Sequence, residues 1–385
     1  MSTNFIPYDP DAELQLFLVC HPGLEQWLGQ ELEERGYRGF NIEKGGIALT
    51  GCWADVADLN VHIRGATRVL VRVAAFSAVH FAQLDKRLRQ IPWQEWLPTE
   101  GSVTIDATAK RSRLYHSKAI SERAEKAIYD QISFCQKMTF VVLLRLVKDW
   151  CVVSLDTSGD PLYKRGGSKS VGRAPMRETM AALFLRAAKF SVNQPVYDPM
   201  CGSGTFVHEA AGRALGKVAG ADRSFAFQNF PAFLNGNRLT ESRIENCAAG
   251  PRCFGADRDA GAIRLAKANS MSQGLEGICH FECQAISDAR PPSEVPGLVI
   301  SNPPYGGRIG ERAKLQDLYA AFGSVMRRHF SGWRIALITS DVGLANATRL
   351  PFLPAGPVVS HGGIQIRMWQ TANELENNDS SEKSA

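Results

Sequence analysis

Two short stretches, about a hundred residues apart, hold the side chains best suited to chemistry. The first is Val196, Tyr197, Asp198, Pro199, Met200, Cys201, Gly202, Ser203, Gly204, Thr205, with a helix-like run from Phe206 to Leu215 directly behind it. Apolar residues ending in an aspartate, then a glycine-bearing turn, then a helix, bring backbone N–H groups close to a ligand, because the glycines remove side chains that would block the approach. The spacing is not the Gly-x-Gly-x-x-Gly of dinucleotide sites, and it lacks the Gly-Lys-Ser/Thr ending of a phosphate-cradling loop. It suits a cofactor whose sugar and charged amino-acid part lie against the turn. A tight loop with no ligand is the plain alternative.

The second stretch is the apolar run Gly297 to Ile300 leading into Ser301, Asn302, Pro303, Pro304, Tyr305, Gly306. Two prolines after a strand end its pairing and hold the chain extended, so the Asn302 side chain and the Pro303 carbonyl have fixed directions. Tyr305 offers a stacking face. Each motif alone has a structural reading, as a turn for example, but their occurrence together and in this order points to a site.

A third group is cationic. Lys110, Arg111, Arg113, His116 and Lys118 crowd a junction between the strand Ser102–Ala107 and a helix reaching Ile132, where phosphates can meet both the cations and a helix N-terminus. Lys164, Arg165, Lys169 and Arg173 follow in a Gly- and Ser-rich segment, expected to be an interdomain linker able to track a nucleic-acid backbone. Residues 107–190 hold sixteen basic and seven acidic side chains, whereas residues 1–60 hold three and ten. The formal net charge of +5 is therefore unevenly placed, and the inner stretch is where a polyanion is expected.

The elements that must position these groups follow from periodicity. Leu14–Cys20 reads as a strand, Leu24–Arg35 as an amphipathic helix closed by Gly36, Gly45–Leu49 as a hairpin return, Ala54–His62 as a helix and Arg68–Phe76 as a strand. This is a small α+β unit with an antiparallel sheet and a structural role. Phe81–Leu88 is helical, Trp93 and Trp96 are expected in the core, and Phe140–Leu146 with Trp150–Asp156 form two strands around a polar turn. Pro175 opens a helix. From 196 onward strands near 195–198, 252–257, 278–283, 297–301 and 333–340 alternate with helices near 205–215, 260–270 and 311–330, and a hairpin spans 357–370. Such alternation implies a parallel sheet covered on both faces, with the ligand beyond the carboxyl ends of its strands. Arg223–Arg243, rich in phenylalanine, is inserted between the first two of these strands.

Composition sets the outer bounds. The 385 residues, 44% hydrophobic, suffice for two or three domains. No apolar run reaches the roughly 18 residues of a membrane span, and the start is polar and acidic, so neither a span nor a secretory signal is expected. Of the nine cysteines, Cys279 and Cys283 have three residues between them but no second such pair to complete a four-thiolate zinc site, and all read as reduced thiols of a cytoplasmic protein. No required metal is indicated, and the tail from Asn373 reads as disordered.

The two site motifs together resemble the class I S-adenosylmethionine-dependent methyltransferases, and Asn302-Pro303-Pro304-Tyr305 resembles the subgroup that methylates exocyclic amino groups of bases. Lys110–Ser117, Leu155–Gly166, Arg173–Ala182 and Asp198–Ala210 are similar to the THUMP-domain ribosomal RNA guanine-N2 methyltransferases, in particular the amino-terminal half of the bifunctional RlmKL type. The resemblance covers nearly the whole chain. It implies a Rossmann-like methyltransferase domain with a mixed sheet, preceded by an α+β ferredoxin-like and THUMP RNA-binding region. The implied divisions are 1–70 ferredoxin-like, 71–157 THUMP, 158–175 basic linker, 176–372 methyltransferase and 373–385 tail. Because the chain ends after one catalytic domain, a fused second activity is not expected.

Carried over residue by residue, the resemblance puts Asp198, Met200, Cys201, Gly202, Gly204 and Thr205 at S-adenosyl-L-methionine, with Asp198 toward its amino group. Asp257, ending the next strand, takes both ribose hydroxyls, for which an acceptor is needed. Asp259 reads as a helix N-cap. The residue that relatives use at the adenine aligns with Ala285, so Gln284 or Asp288 is expected to substitute. Asn302 and the Pro303 carbonyl accept from the base amino group, and Tyr305 stacks on the base. His208 and His361 read as structural. The implied partner is large-subunit (23S) ribosomal RNA or an assembly precursor, with no membrane and no obligate protein partner. Guanine N2 in transfer RNA and adenine N6 fit the same motif. A non-catalytic RNA-binding module leaves the intact turn, Asp257 and Asn302 unexplained, and an NAD-dependent oxidoreductase leaves Pro303-Pro304 unexplained.

Overall fold

The computed structural model describes residues 6–9, 13–133, 135–166, 176–234, 252–305 and 312–372; Lys169, Arg173, Pro175, Gly306, residues 235–243 and the tail from Asn373 lie outside them. The chain divides into two compact units. One comprises Met1–Cys20, Gly29–Lys164 and Asp222–Glu241, the other His21–Leu28, Arg165–Ala221 and Ser242–Ala385.

In chain order the first stretch holds β1 (Ile6–Pro7), β2 (Leu14–Val19), α1 (Glu25–Glu34), β3 (Asn41–Glu43), β4 (Gly46–Gly51), α2 (Trp53–His62) and β5 (Arg68–Ser77). After them come α3 (Phe81–Arg89), α4 (Trp93–Trp96), β6 (Glu100–Lys110), α5 (Ser117–Tyr129), β7 (Cys135–Val147) and β8 (Trp150–Asp156). Eight strands form one sheet in the order β3-β4-β2-β5-β8-β7-β6, with β1 on β5. Its Val-, Leu- and Ile-rich strands suit a pleated, half-buried surface. β5 joins the two halves of the sheet: it pairs antiparallel with β2 through Leu16↔Val71 and antiparallel with β8 through Leu70↔Asp156. The expected division between residues 70 and 71 thus falls inside a strand. Trp93 and Trp96 are fully buried, and the Trp93 indole donates to the Leu88 carbonyl at 2.9 Å.

The segment after β8 is more ordered than a linker. Thr157 and Ser158 are fully buried; Thr157 Oγ1 donates to Val69 O and accepts from Asn60 Nδ2, while Ser158 Oγ donates to Asn60 Oδ1. Arg68 pairs with the buried Asp156. Ser158, expected to open the linker, and Thr157 before it thus find polar partners in the interior, as buried polar groups must. Arg223 donates to the carbonyls of Ser158, Asp160, Pro161 and Lys164. The phenylalanines of the insertion pack in this same unit: Phe230 lies 5.6 Å from Phe140 and 6.0 Å from Trp53, ring centre to ring centre, with Phe233 also on Trp53.

The other unit contains α6 (Glu178–Ala187), β9 (Val196–Asp198) and α7 (Thr205–Ala214); a short helix α8 (Pro231–Leu234), which belongs with the phenylalanines of the first unit, intervenes in the chain. The second unit resumes with β10 (Cys253–Asp257), α9 (Ala260–Ser272), β11 (Cys279–Cys283), β12 (Leu298–Ser301) and α10 (Arg312–His329). It closes with β13 (Arg334–Thr339), α11 (Val342–Ala347), β14 (Val359–His361) and β15 (Ile364–Gln370). All of these but α8 and α11, which the periodicity does not announce, match the expected spans to within three residues. The sheet order is β11-β10-β9-β12-β13-β15-β14, parallel from β11 to β13 and antiparallel at β15 and β14. The stripe of α10 formed by Tyr319, Phe322 and Met326 is buried in a cluster with Tyr197, Phe330 and Trp333. Because β9 lies between β10 and β12, the chain leaves the centre of the sheet in opposite directions on either side. A crevice opens there at the carboxyl ends. The register Val299↔Tyr197 brings Ser301 and Asn302 beside Asp198 across a hundred residues of sequence.

Candidate active site

The turn after β9 is tied at both ends. Cys201 N donates to Ala256 O at 2.9 Å, and Gly202 N donates to Asp257 Oδ2 at 3.0 Å. Gly202 and Gly204 have φ of 53° and 85°, the left-handed region in which glycine carries no Cβ penalty. They differ in what surrounds them. A Cβ on Gly202 would meet nothing within 4 Å, whereas one on Gly204 would sit 2.7 Å from His208 Cε1 and 3.1 Å from the Phe281 ring. Gly204 is the residue before α7, so the close packing of that helix on the sheet depends on it. His208 is buried, with Nε2 at 3.1 Å from Ala266 O and its ring 5.3 Å from Phe281; it is structural, as expected.

A cavity of about 620 Å³ opens at this crevice. It is lined by Asp198, Met200, Cys201, Gly202, Ser203, Thr205, Asp257 and Asn302, together with Met176, Phe206, Asp259, Gly261, Ala262 and Leu265. Among the described residues, three carboxylates and no lysine, arginine or histidine line it. Such a site favours a cationic ligand and opposes a pyrophosphate. Asp198 is 3% exposed; its Oδ1 accepts from Ser301 Oγ at 2.7 Å and from Met200 N at 3.1 Å. Burial pushes its carboxyl up to about 7, with the Asp257 charge adding to the effect and the two hydrogen bonds opposing it. Asp257 holds the Gly202 and Asp259 amides with one oxygen each, leaving further lone pairs on both oxygens for hydroxyl donors. Asp259 caps α9, accepting from Gly261 N and Ala262 N, as its position predicts. Burial holds the Cys201 thiol well above its ordinary range, so it is no thiolate nucleophile.

Asn302 follows β12 directly and reaches the same cavity. Its side-chain Oδ1 is buried and has no hydrogen-bond partner. The Tyr305 hydroxyl lies 3.2 Å from His361 Nδ1. Tyr305 is half-buried and packs against the α10 cluster. The Pro304 carbonyl accepts from Tyr319 Oη at 3.4 Å, and that hydroxyl also lies 3.2 Å from Thr339 Oγ1.

Not every expected residue joins the site. Gln284 lines a different cavity, of about 430 Å³, with Tyr197, Phe254, Glu282 and Arg290, and its Nε2 donates to Asp288 O at 3.2 Å. Asp288 lines neither. The apolar wall of Met176, Phe206, Ala262 and Leu265 has no signal in the sequence, because these positions carry ordinary apolar residues in or next to helices and nothing polar.

The cationic group is also sorted by the structure. Lys110 ends β6, and Arg111 takes φ 52°. Ser112 Oγ donates to Lys110 O and accepts from Asp149 N, and Arg113 N donates to Asp149 Oδ1 at 2.7 Å. The loop is thereby fixed to the β7–β8 turn while its side chains stay out in solvent, Arg113 69% and Lys118 91% exposed. Tyr115, 68% exposed, pairs with the His116 ring at 4.1 Å; it carries no charge to draw attention in the sequence. Lys164 is exposed beside Asp160 at 2.9 Å. Arg165 is not available to a polyanion. Its Nε and Nη2 bond Glu209 Oε1 and Oε2 at 2.9 and 3.2 Å, and the two side chains are only 11% and 5% exposed.

Comparison with known proteins completes the assignment. A family model described as the RMKL-like methyltransferase domain matches residues 165–352, and one described as the RlmL ferredoxin-like domain matches residues 15–70. The putative RNA methyltransferase slr0064 of Synechocystis sp. is 32% identical over 370 residues, spanning 90% of this chain and 94% of its own. The chain belongs to the RMKL-like methyltransferase family. Ribosomal RNA large subunit methyltransferase K/L of Syntrophotalea carbinolica is 33% identical over 363 residues, 87% of this chain and 50% of its own; the chain thus spans about half the length of that K/L relative. Among solved structures, SMU.472, described as a putative methyltransferase complexed with SAH, shares the fold at a TM-score of 0.81 and 24% identity over 94% of this chain and 98% of its own. This RMKL-like methyltransferase is therefore an α/β protein of the class I methyltransferase type with an N-terminal ferredoxin-like region.

Proposed function

We propose that this RMKL-like methyltransferase transfers a methyl group from S-adenosyl-L-methionine to the exocyclic N2 of a guanosine in large-subunit (23S) ribosomal RNA, in the cytoplasm. The observation that carries the reading is the buried, partnerless Asn302 Oδ1 at the edge of an acidic cavity. A buried acceptor without a donor costs roughly 1–3 kcal/mol, and an incoming amino group supplies the missing donor.

The residues fit the donor molecule. Asp198 faces its ammonium, Asp257 takes the ribose hydroxyls, the backbone of Gly202 to Thr205 closes against it, and the Met176, Phe206 and Leu265 wall suits an adenine. When bound, S-adenosyl-L-methionine supplies an electrophilic methyl on a sulfonium. Asn302 Oδ1 and the Pro303 carbonyl accept the N–H bonds of the base amino group, which aims its lone pair and stabilises the positive charge that builds on nitrogen. The methylated nitrogen loses its proton readily, so no strong base is needed. Reaching the cavity requires the base to leave its stack.

The RNA itself is held by the THUMP region, residues 71–157. Lys110, Arg111, Arg113, His116 and Lys118 contact phosphates, and exposed Tyr115 offers a base a stacking face. The names of the K/L relatives support ribosomal RNA over transfer RNA. The test is methyl transfer from radiolabelled S-adenosylmethionine to RNA pools from a strain lacking the gene, followed by nucleoside mass spectrometry. N2-methylguanosine confined to 23S RNA is expected. Label in transfer RNA, or as N6-methyladenosine, would overturn the substrate but keep Asn302 at the centre; no label in any pool would overturn the activity.

A further inference from the structure

A buried carboxyl group can meet a cationic ligand in two states, and only one of them binds. Charged, it accepts from an ammonium. Neutral, it carries a proton of its own, and the oxygen that holds the proton decides what the ligand meets.

Asp198 is placed so that this proton has one position open to it. Its Oδ1 accepts from the Met200 amide at 3.1 Å and from Ser301 Oγ at 2.7 Å, and two donors fill the lone pairs of one carboxyl oxygen. An amide N–H cannot turn round to become an acceptor. The proton of the neutral acid therefore sits on Oδ2, the oxygen left for the cavity that Asp198 lines, where it meets an ammonium donor against donor. Of the two donors on Oδ1, the amide belongs to the backbone of the turn itself, whereas the hydroxyl arrives from 103 residues away, at the end of β12. Ser301 is fully buried and Asp198 is 3% exposed, so solvent does not compete for the bond between them.

We infer that Ser301 is a positioning residue of the cofactor site: by donating its hydroxyl proton to Asp198 Oδ1, it holds that carboxyl group charged and leaves Oδ2 free to accept from the ammonium of the cofactor. The inference rests on the assignment of Asp198 to that ammonium. Burial raises the Asp198 carboxyl to about 7, and of the contacts that oppose burial the Ser301 bond is the largest, ahead of the Met200 amide. The other groups that face Asp198 do not help it to ionise. Asp257, at the end of β10, raises it further through its charge, and burial keeps the Tyr197 phenol and the Cys201 thiol neutral. Asp259 lines the same cavity, and among the described residues no lysine, arginine or histidine does. The charge of Asp198 thus depends on a hydroxyl from the residue before Asn302, so the strand end that presents the base acceptor also prepares the cofactor site.

The experiment measures S-adenosylhomocysteine binding to the full chain by calorimetry between about pH 6 and 9, for the wild type, Ser301→Ala, Ser301→Cys, Asp198→Asn and the Asn/Ala double variant. This probe keeps the ammonium, and a ratio of wild-type to variant affinity cancels the titration of the ligand itself. Loss of one charge-assisted donor is expected to raise the Asp198 midpoint by about one pH unit, so Ser301→Ala binds about tenfold more weakly at low pH and the ratio falls toward one above the raised midpoint. Ser301→Cys keeps the size of the side chain but offers only a weak S–H donor; it shifts the midpoint in the same direction and carries the test if the alanine variant does not fold. In the Asp198→Asn background Ser301→Ala has no pH-dependent effect, because both act through one bond. A loss of equal size at every pH makes Ser301 a packing residue and overturns the inference, as does a pH-dependent loss that persists without the Asp198 carboxylate. A ligand-free readout separates this from failure of the functional reading: the carboxyl carbon-13 signal of Asp198, identified by its absence from Asp198→Asn, should titrate about one unit higher in Ser301→Ala, and an unchanged midpoint overturns the inference. A wild-type protein that binds no S-adenosylhomocysteine at any pH overturns the cavity as a cofactor site, and the carbon-13 midpoints then still decide whether Ser301 holds the charge of Asp198.

Discussion

The turn after β9 and the loop after β6 are built on the same plan, a strand running into a turn and then a helix, and they end up with opposite chemistry. After β9 the turn is closed by backbone bonds to Ala256 and Asp257, and the side chains it leaves at the crevice are small, apolar or acidic. After β6 the backbone is fixed just as firmly, through Asp149 and Ser112, but Lys110, Arg111, Arg113 and Lys118 are left in solvent. In the first region a buried carboxylate, Asp198, and the more open Asp257 and Asp259 wait for a cation; in the second, exposed cations face a polyanion. The difference teaches that local geometry supplies the anchoring, while burial and side-chain sign choose the ligand.

The largest expected effect probes which cations belong to which region. Arg165 is expected from the sequence among the RNA contacts, yet it is paired inside the methyltransferase unit. Arg165→Met removes the two-bond partner of the buried Glu209 carboxylate, and breaking a buried pair from one side costs about 3–5 kcal/mol. Chemical denaturation should show that loss, with RNA affinity of the remaining folded protein unchanged; a stable variant with weakened RNA binding would return Arg165 to the polyanion surface.

Next is Asn302→Ala. Removing one preorganised hydrogen-bonding group of this kind lowers kcat by about 10²–10³. Cofactor affinity measured by calorimetry should stay within a factor of about two, since the deleted acceptor serves the base. A large drop in cofactor affinity would move Asn302 to the cofactor side of the comparison.

The two glycines sharpen the account of the β9 turn. Both substitutions to alanine force a left-handed residue, at roughly 1–2 kcal/mol, but only Gly204→Ala also drives a Cβ into His208 and Phe281, adding about 1–3 kcal/mol of overpacking. Urea melts should therefore rank Gly204→Ala clearly below Gly202→Ala, and equal losses would show that the helix can move away.

Asp198 gives a pH signature that the basic loop cannot. Its folded-state carboxyl is raised from 3.8 to about 7, so the folded chain holds that proton more tightly than the unfolded one. The sign follows: the contribution of this group to folding stability falls as pH rises from about 4 to 7. A cationic ligand prefers the ionised form, so cofactor affinity should rise over the upper part of the same window, by about tenfold per pH unit below 7, with proton release in calorimetry. Asp198→Asn should abolish the dependence. Affinity independent of pH in the wild type would place the ammonium elsewhere.

The smallest effect concerns the loop itself. Neutralising Lys110, Arg111 and Arg113 should reduce the slope of log affinity against log salt by about 0.7 for each single-strand phosphate that the loop no longer neutralises, leaving kcat at saturating RNA unchanged. An unaltered slope in filter binding would make these cations surface decoration.

Most of the order of elements, the glycine turn at Gly202 and Gly204, the capping role of Asp259 and the burial of Trp93 and Trp96 were legible in the amino-acid sequence. Each depends on backbone preference or periodicity within a turn or two, which a linear chain displays openly. The sequence also determined that Asp198 and Asn302 stand at strand ends, because apolar runs stop there. Only the tertiary structure decided that Arg165 answers Glu209, 44 residues away, that Thr157 and Ser158 lie inside, that Gln284 lines another cavity, and that His361 comes within reach of the Tyr305 hydroxyl beside Asn302. The reason is physical. A charge or hydrogen bond is satisfied by whichever group packing brings within about 3 Å, and packing joins residues whose separation along the chain carries no trace of that meeting.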